Sequence, residues 1–435
     1  MTARLRKLID DLAESFWLLP ALLVAFGVIS AWALVAVDRE GIVPDWAEEW
    51  LYNGGATGAR TLLGAVASST IGVAGTVFSI TIAALSLAAG QMGPRLLRNF
   101  TRDRGNQITL GVFLGTFCYA LVVLRSVRLP DEGAFIPHLA VSVGIALAFV
   151  CVATLVYFVG HMSGRINVDT VIGLVSEDVR DVMRTLATDD RQPAAPPPAF
   201  WRGAEPIADD RRGYLHQLDE NGLATWACEH DTAIKMLVRP GDYVFPGAPI
   251  AMIKPLRDGV AEAIRNATAL SPQRSTSTDL LFAVRQLVEV GVRALSPGIN
   301  DPHTAISVLD RLGSALCEMK PLRLQTGVSI KDDRTVLVVP HVRYDELVGA
   351  MFHMIRQNAA GKPSVLIRMM EVMTWVVSCE RDPARMEAVR KHADLVMRDA
   401  ERDVASPSDL SDIRARHRAF ADMIAGGPDG TLDAI

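Results

Sequence analysis

Long runs of apolar residues dominate the chain as far as His161, and mixed apolar and polar patterns follow. Each run lacks Asp, Glu, Lys and Arg, and each reaches the roughly 20 residues that a helix needs to cross a bilayer. The four runs are Leu18–Val37, Thr61–Gly93, Asn106–Leu124 and His138–Gly160. The pattern therefore predicts an α-helical membrane protein with a four-helix transmembrane domain over residues 1–164.

The basic residues beside the spans predict how the protein lies in the membrane. Short loops on the cytoplasmic side of a membrane carry an excess of Lys and Arg. The N-terminal segment has three basic residues and the loop after the second span has four, whereas the other two loops have two each. Both termini are therefore expected in the cytoplasm.

The second span is rich in small and hydroxyl-bearing residues, although it carries no charge between Arg60 and Arg95. Such residues either allow close packing between helices or line a water-filled path in an oligomer. The pore-lining or packing candidates are Ser68, Ser69, Gly72, Gly75, Thr76, Ser79, Thr81 and Ser86. As one helix the uncharged residues would extend about 50 Å, beyond the roughly 30 Å core of a bilayer. The span is therefore expected to tilt strongly, to break near its glycines or to continue into the cytoplasm.

Charged residues are absent from the four spans and concentrated just beyond the second one. Proton-coupled transporters generally need ionisable groups at membrane depth, so a passive pore or a plain anchor is expected instead. Four arginines follow the second span: Arg95, Arg98, Arg102 and Arg104. They are candidates for contact with anionic lipid headgroups or, alternatively, for an electropositive vestibule that attracts anions.

After Gly164 the pattern changes to that of a mixed cytoplasmic domain. Residues 165–200 have the pattern of an amphipathic helix followed by a proline-rich linker. Residues 201–260 predict a small β-rich module that contains two Pro-Gly turns. Residues 261–435 predict a mostly α-helical domain.

The run VRPGDYVFPGAPI resembles the hairpin of biotinyl and lipoyl barrel-sandwich domains, and AIKM superficially resembles a biotin-attachment site. In such domains the modified lysine lies on its own turn, well before the hairpin. Here Lys235 is only six residues before Gly241 and falls inside a predicted strand. The spacing therefore favours a small β module without a carrier function.

The stretch SPGINDPHTA joins two helical patterns and combines turn-forming with polar residues. Proline and glycine end the first helix, and Asp301 with Pro302 has the pattern of an N-cap and a first helical residue. Alternatively, the polar side chains form a small acidic or ligand-binding cluster. The candidates for this ligand or interdomain corner are Arg293, Ser296, Asn300, Asp301, His303 and Asp310.

Composition and motifs exclude several classes of protein. The net charge of −5 gives no indication of a nucleic-acid partner. The five cysteines are scattered and form neither a disulfide framework nor a zinc motif. The sequence contains no P-loop, dinucleotide fingerprint, nucleophile elbow or zinc-protease motif. We therefore expect no metal, no cofactor, no catalytic residues and no enzymatic activity.

Two segments resemble the domain-of-unknown-function 2254 family of bacterial predicted membrane proteins: SPGINDPHTA, and the longer run FSITIAALSLAAGQMGPRLLRNFTRDRGNQITLGVFLGTFCYALVVLRSV. The resemblance covers the chain from the first span to about residue 380. It implies an inner-membrane protein with four N-terminal spans and a cytoplasmic C-terminal region, and it implies no activity. The tail after Pro383 is unusually charged, so no family feature is extended to it.

Two main functions fit these patterns. The first is a multi-pass protein of the bacterial inner membrane that forms an oligomeric ion channel or passive pore, regulated by its cytoplasmic domain. The second is a membrane-anchored sensor or scaffold whose cytoplasmic domain binds a soluble partner or small ligand. An anchored hydrolase or transferase is a third alternative, which would need residues that only the fold brings together. The expected partners are the lipid bilayer, anionic lipid headgroups and further copies of the chain.

Overall fold

A computed structural model of the protein describes residues 16–41, 51–92, 103–128, 135–165, 167–188, 192–274, 279–319 and 322–427. The chain divides into two compact units, an N-terminal unit made mainly of residues up to Asn167 and a C-terminal unit made mainly of residues from Val168 onwards. The first unit is built from long apolar helices, and the second combines helices with short strands.

Four helices make up the described part of the N-terminal unit: α1 (Leu18–Glu40), α2 (Ala56–Met92), α3 (Arg104–Ser126) and α4 (His138–Arg165). Each is long and apolar enough to cross a bilayer, which confirms the four predicted apolar helices. The 37 residues of α2 form one unbroken helix of about 55 Å. A break near the glycines is therefore excluded, because a glycine weakens a helix by only about 1 kcal/mol and does not end it.

Glycines allow α1 and α3 to pack closely. A Cβ built on Gly115 of α3 would lie 2.8 Å from the carbonyl oxygen of Leu23 on α1, and one on Gly27 would lie 3.2 Å from the Cα of Gly115. Small residues at a helix contact let backbones approach in this way. On its other side α3 packs against α4, where the Tyr119 hydroxyl donates a hydrogen bond to the Ala140 carbonyl oxygen at 2.7 Å.

Polar contacts fix the start of α4. The Asp38 carboxylate accepts hydrogen bonds from the N–H groups of Leu139 and Ala140 at 3.0 and 2.9 Å. An anion at a helix N-terminus is favoured because the first N–H groups have no partner within the helix. The Tyr52 N–H donates to Ser142 Oγ at 2.7 Å, so the segment before α2 is also attached to this end of α4.

The C-terminal unit alternates short strands with helices. Its helices are α5 (Val168–Leu186), α6 (Glu220–Glu229), α7 (Val260–Ala267), α8 (Leu280–Ala294), α9 (Pro302–Glu318), α10 (Tyr344–Asn358), α11 (Pro363–Cys379), α12 (Pro383–Asp403) and α13 (Pro407–Gly426). Its strands are β1 (Ala187–Thr188), β2 (Glu205–Asp209), β3 (Gly213–Leu218), β4 (Ala233–Met236), β5 (Tyr243–Val244), β6 (Ala248–Lys254), β7 (Thr268–Ser271), β8 (Arg323–Leu324), β9 (Val328–Lys331) and β10 (Arg334–Val338).

The strands form a five-stranded sheet in the order β2-β6-β4-β10-β9, a three-stranded sheet in the order β5-β3-β7, and the pair β1-β8. β10 pairs with β4 in parallel and places Leu337 opposite Ile234, and both side chains are fully buried. Lys235 lies within β4, as expected from the sequence. The strands of the main sheet continue to Val338, so they extend well beyond residues 201–260.

The remaining helices of this unit build an α-helical core. α8 packs against α5, α9 and α10, and α11 packs against α9, α12 and α13. Leu287, Leu312, Phe352 and Met373 are almost completely buried between these helices. The amphipathic helix α5 buries Val175 completely and is therefore part of this core.

Candidate functional site

The outward faces of the apolar helices differ in residue type. On α1 and α4 the exposed side chains are large and apolar: Leu22, Phe26, Ile29 and Trp32 on α1, and Phe149, Val152, Val156 and Val159 on α4. Spanning segments of this kind are compatible with the hydrocarbon core of a bilayer. These two faces are therefore typical of helices that contact lipid.

The exposed side of α2 carries many small and hydroxyl-bearing residues besides large apolar ones. On its buried side lie Ala59, Leu63, Ala67, Ala74, Val77 and Ala84. Seven of the eight residues predicted to line a pore or to pack are exposed: Ser68, Ser69, Gly72, Gly75, Thr76, Ser79 and Ser86. Thr81 is the exception, because it lies on the buried side and its hydroxyl donates to the Val77 carbonyl oxygen at 2.8 Å.

The small residues of this face follow an 11-residue repeat. Three series of residues are spaced 11 positions apart. They are Thr57, Ser68, Ser79 and Gly90; Thr61, Gly72 and Ala83; and Gly64, Gly75 and Ser86. Such a repeat corresponds to 3.67 residues per turn, so these ten residues, here called the small-residue stripe, keep to one side of the helix. The spacing adds Thr57, Thr61, Gly64, Ala83 and Gly90 to the residues predicted to line a pore or to pack.

Large apolar residues border the small-residue stripe on both sides. At about 100° per residue around the helix axis, Ile71, Phe78 and Ile82 fall on one side of the stripe, and Leu62, Ile80 and Leu87 fall on the other. All six side chains are exposed. The stripe is therefore a shallow groove between two apolar ridges.

The glycines of the stripe have open space beside them. No described atom lies within 4 Å of a Cβ built on Gly64, Gly72, Gly75 or Gly90. The facing glycines of α1 and α3, by contrast, leave no room for a Cβ. Among the described residues, Gly64, Gly72 and Gly75 therefore do not serve a close helix contact within one copy of the chain.

The Ser68 and Ser79 hydroxyl groups of the stripe form hydrogen bonds within α2. Ser68 Oγ donates to the Gly64 carbonyl oxygen at 2.8 Å. Ser79 Oγ donates to the Gly75 carbonyl oxygen at 2.9 Å. A hydroxyl group has one proton and two lone pairs, so each oxygen can still accept a hydrogen bond. The stripe therefore carries uncharged oxygen acceptors on a face without fixed charge.

Of the four arginines predicted after the second span, Arg95, Arg98 and Arg102 lie outside the described residues. Arg104 is the exposed first residue of α3. The preceding Asp103 carboxylate accepts a hydrogen bond from the Gly105 N–H at 2.9 Å and lies 2.7 Å from His161 Nε2. Asp103 therefore caps α3 and connects its start to α4.

The corner between α8 and α9 is organised by hydrogen bonds within its own backbone. Ser296 Oγ donates to the Arg293 carbonyl oxygen at 2.6 Å, and the Asn300 N–H donates to the Ser296 carbonyl oxygen at 2.8 Å. Asn300 has a positive φ of 50°, which asparagine tolerates better than most residues. The Asp301 N–H then donates to the Ala294 carbonyl oxygen at 2.7 Å. The polar residues of the corner thus close a turn.

Asp301 begins α9 as the sequence predicts. Its carboxylate accepts hydrogen bonds from the hydroxyl and the N–H of Thr304 at 2.6 and 3.1 Å. The Thr304 hydroxyl, followed by backbone N–H groups and nearby His303, favours the charged form and lowers the pKa of Asp301. The carboxylate is therefore engaged as a helix cap.

The other corner candidates point to separate partners. Asp310 forms an ion pair with Arg368 of α11 at 2.7 Å, and His303 is exposed. The Lys362 ammonium donates to the Leu295 carbonyl oxygen at 2.5 Å, which attaches the corner to the start of α11. The described residues contain no group of three or more His, Cys, Asp or Glu that could hold a metal ion. Asp301, His303 and Asp310 therefore do not converge on one metal ion.

Residues 13–374 match the family described as "Predicted membrane protein (DUF2254)". Uncharacterized protein MT1328 of Mycobacterium tuberculosis (strain CDC 1551 / Oshkosh) is 31% identical over 428 residues, which cover 94% of this chain and 80% of the relative. Uncharacterized protein Mb1321c of Mycobacterium bovis is similar to the same extent. No solved structure matches the chain.

Proposed function

The chain belongs to the DUF2254 family of predicted membrane proteins, and on that premise we propose that it is a bacterial inner-membrane protein whose copies assemble into a passive pore around α2. The observation that carries this proposal is the small-residue stripe. α1 and α4 expose large apolar side chains, whereas α2 also presents a line of ten repeat positions, nine of which hold glycine, serine or threonine and one of which is Ala83. A helix that only contacts lipid has no need of such a face.

The repeat suggests how the copies of α2 would meet. Residues that repeat every 11 positions form a line that turns slowly around an α-helix of 3.6 residues per turn. Helices that associate along such a line therefore wind around each other with a right-handed twist. Glycines let the backbones come close, as in other small-residue contacts between membrane helices. The exposed ridges beside the stripe would then pack against those of the neighbouring copies. Homo-oligomerisation is therefore part of the proposal.

The chemistry of the stripe favours a passive path. Hydroxyl oxygens facing a central axis would replace part of the hydration shell of a cation or would hydrogen-bond to water. The four apolar runs contain no Asp, Glu, Lys or Arg that could relay a proton. The permeant species would therefore move down its gradient, with small cations favoured over anions within the span.

Orientation and lipid contact complete the proposal. By the positive-inside rule both termini, and with them the C-terminal unit, would lie in the cytoplasm, where that unit would regulate the pore. Arg104 would contact anionic lipid headgroups at the inner surface. A chain with Cys228 as its single cysteine tests this orientation. A membrane-impermeant maleimide should leave Cys228 unlabelled in intact cells and label it after lysis; labelling in intact cells would contradict a cytoplasmic C-terminal unit.

Ion flux from salt-loaded liposomes tests the pore. We expect full-length protein to release K⁺ faster than empty liposomes do, and Gly75→Leu to abolish that release because leucine fills the groove. Gly160→Leu is a matched control, since Gly160 lies on α4 and no described atom lies within 4 Å of its Cβ either. The control should retain flux.

Two outcomes would contradict the pore. One is well-folded wild-type protein that leaks no more than empty liposomes across several salts. The other is a strictly monomeric protein in native mass spectrometry, because a single α2 cannot enclose a path. In either case the membrane-anchored sensor or scaffold becomes the better hypothesis.

A further inference from the structure

A cavity of 210 Å³ opens between α5 and α9 in the C-terminal unit. Its lining combines two arginines and one glutamate with an apolar floor. The lining residues are Arg180, Met183, Arg184, Ala315, Glu318, Met319 and Leu322. Pockets for drug-sized ligands are commonly about 300–1,000 Å³, so this cavity fits only a small molecule.

The charges of the cavity are not balanced. Glu318 stands between the two arginines, with its carboxylate 3.0 Å from Arg180 and 3.6 Å from Arg184. Arg184 also lies 4.0 Å from Asp181, but both of these side chains are more than two-thirds exposed, so solvent weakens that pair. Within the cavity itself, two guanidinium groups therefore face one carboxylate.

The unused N–H donors of the cavity belong to Arg184. Arg180 already donates to Ser314 Oγ at 3.1 Å and lies 3.0 Å from Glu318, and its Nε is buried out of reach of a ligand. Arg184 reaches its two carboxylate neighbours only at 3.6 and 4.0 Å, which exceeds hydrogen-bond length. A planar guanidinium with free donors binds a carboxylate through two parallel hydrogen bonds. The polar side of the cavity is thus suited to a second carboxylate beside that of Glu318.

The floor of the cavity is apolar. Met183, Ala315 and Met319 are each at most 3% exposed and close the floor as part of the core, and the half-buried Leu322 adds apolar surface at the rim. Short aliphatic chains gain about 0.8 kcal/mol for each buried methylene, or roughly a fourfold increase in affinity. A ligand that fits both sides is therefore an anion with a short hydrocarbon chain.

The rim of the cavity is held in place by a separate residue. The Arg385 guanidinium on α12 donates to the carbonyl oxygens of Leu322 at 2.7 Å and Met319 at 3.4 Å. Its own charge is balanced by Glu380 at 3.3 Å. The rim therefore needs no ligand to keep its shape, and a ligand would find the site already formed.

From these contacts we infer that the cavity is a binding site for a small aliphatic monocarboxylate. Its carboxylate accepts hydrogen bonds from Arg184 beside the positive charge of Arg180, and its chain lies against the apolar side formed by Met183, Met319 and Leu322. The excess of one positive charge matches a monoanion, whereas a phosphate dianion would leave a negative charge beside Glu318. This inference does not depend on the proposed pore.

Calorimetric titration of the full-length protein in lipid nanodiscs tests the site. The probes are sodium acetate, propionate, butyrate, pentanoate and hexanoate, with the matching n-alkylammonium chlorides as cationic controls. We expect the affinity to rise about fourfold for each methylene until the cavity is filled, and the alkylammonium ions not to bind. Equal affinity for all chain lengths, or equal binding of the cations, would overturn the inference.

Two substitutions locate the binding. Arg184→Gln should weaken the binding of hexanoate at least tenfold, and Arg184→Lys should give an intermediate affinity because lysine keeps the charge but not the paired donors. Arg390→Gln is a matched control, since Arg390 forms an exposed ion pair with Glu387 at 2.6 Å on α12. The ligand-free variants should melt within a few degrees of wild type, because Arg184 is an exposed side chain. Arg184→Gln protein that melts normally and still binds hexanoate with wild-type affinity would refute the assignment.

Discussion

Replacing Gly115 with alanine tests the close contact between α1 and α3. The new Cβ would lie 2.8 Å from the carbonyl oxygen of Leu23 and 3.3 Å from its carbonyl carbon. Close carbon–oxygen contacts between neighbouring backbones are about 3.3–3.6 Å. Because the obstructing atoms belong to a backbone and cannot rotate away, the two helices must separate locally by about 0.5 Å.

The expected loss of stability follows from that displacement. A gap of about 0.5 Å removes roughly a quarter of the dispersion energy of each atom pair across the contact. Overpacking substitutions in tightly packed interiors reduce stability by about 1–3 kcal/mol. We expect Gly115→Ala to lower the free energy of unfolding by about 2 kcal/mol, since the new Cβ is fixed to its backbone and meets main-chain atoms of Leu23.

The measurement is unfolding by sodium dodecyl sulfate in mixed micelles, followed by tryptophan fluorescence. Gly160→Ala on α4 serves as the control, because its Cβ meets no described atom within 4 Å, and it should unfold within about 0.5 kcal/mol of wild type. If both alanine variants unfold at the same detergent fraction, the close contact of α1 with α3 is wrong.

Three further predictions concern the C-terminal unit. Burial, and then the charges of nearby groups, lower the pKa of His392 from 6.5 to about 4. The free energy of unfolding should therefore fall by roughly 2–3 kcal/mol as the pH drops from 6.5 to 4. Thermal melts across that pH range should show a smaller loss for His392→Gln. Asp399→Asn leaves the buried Arg356 guanidinium without its anionic partner and should cost about 3–5 kcal/mol in urea unfolding, whereas no measurable change would contradict the pair. Burial raises the pKa of the Cys317 thiol to about 12, so iodoacetamide at pH 7 should alkylate it at least tenfold more slowly in the folded than in the denatured chain, as measured by peptide mass spectrometry.

Local signals in the sequence were sufficient for several elements of the fold. The uncharged apolar runs predicted α1 to α4 because their length and composition alone decide whether a helix can span a bilayer. The start of α9 followed from Asp301 and Pro302, whose capping roles depend on the next few residues only. The sequence predicted that Lys235 lies inside a strand and not on the turn of a biotin- or lipoyl-carrying lysine. Lys235 does lie inside β4, the middle strand of the main sheet.

Other features depend on residues that are distant in the sequence. The parallel pairing of β10 with β4 brings Leu337 beside Ile234, and neither strand specifies its partner by pattern. Thr81 faces inward while Ser79 faces outward because the packing of α2 sets its rotation, which residue type does not reveal. The cavity beside α5 likewise needs Glu318 to approach two arginines from another helix.

Assembly and conduction in the proposed pore should depend on different members of the small-residue stripe. The Ser79 hydroxyl already donates within its own helix, so the isolated chain does not need a neighbour to satisfy it. The driving force for association must then come mainly from the close approach that glycine permits. We therefore expect Ser79→Ala to keep the subunit number found by chemical cross-linking but to lower the single-channel K⁺ conductance severalfold, because an oxygen acceptor is lost from the path. Gly75→Leu should separate the subunits. Should Ser79→Ala separate them as readily, hydroxyl contacts between copies would hold the assembly, and the glycine-based packing would be wrong.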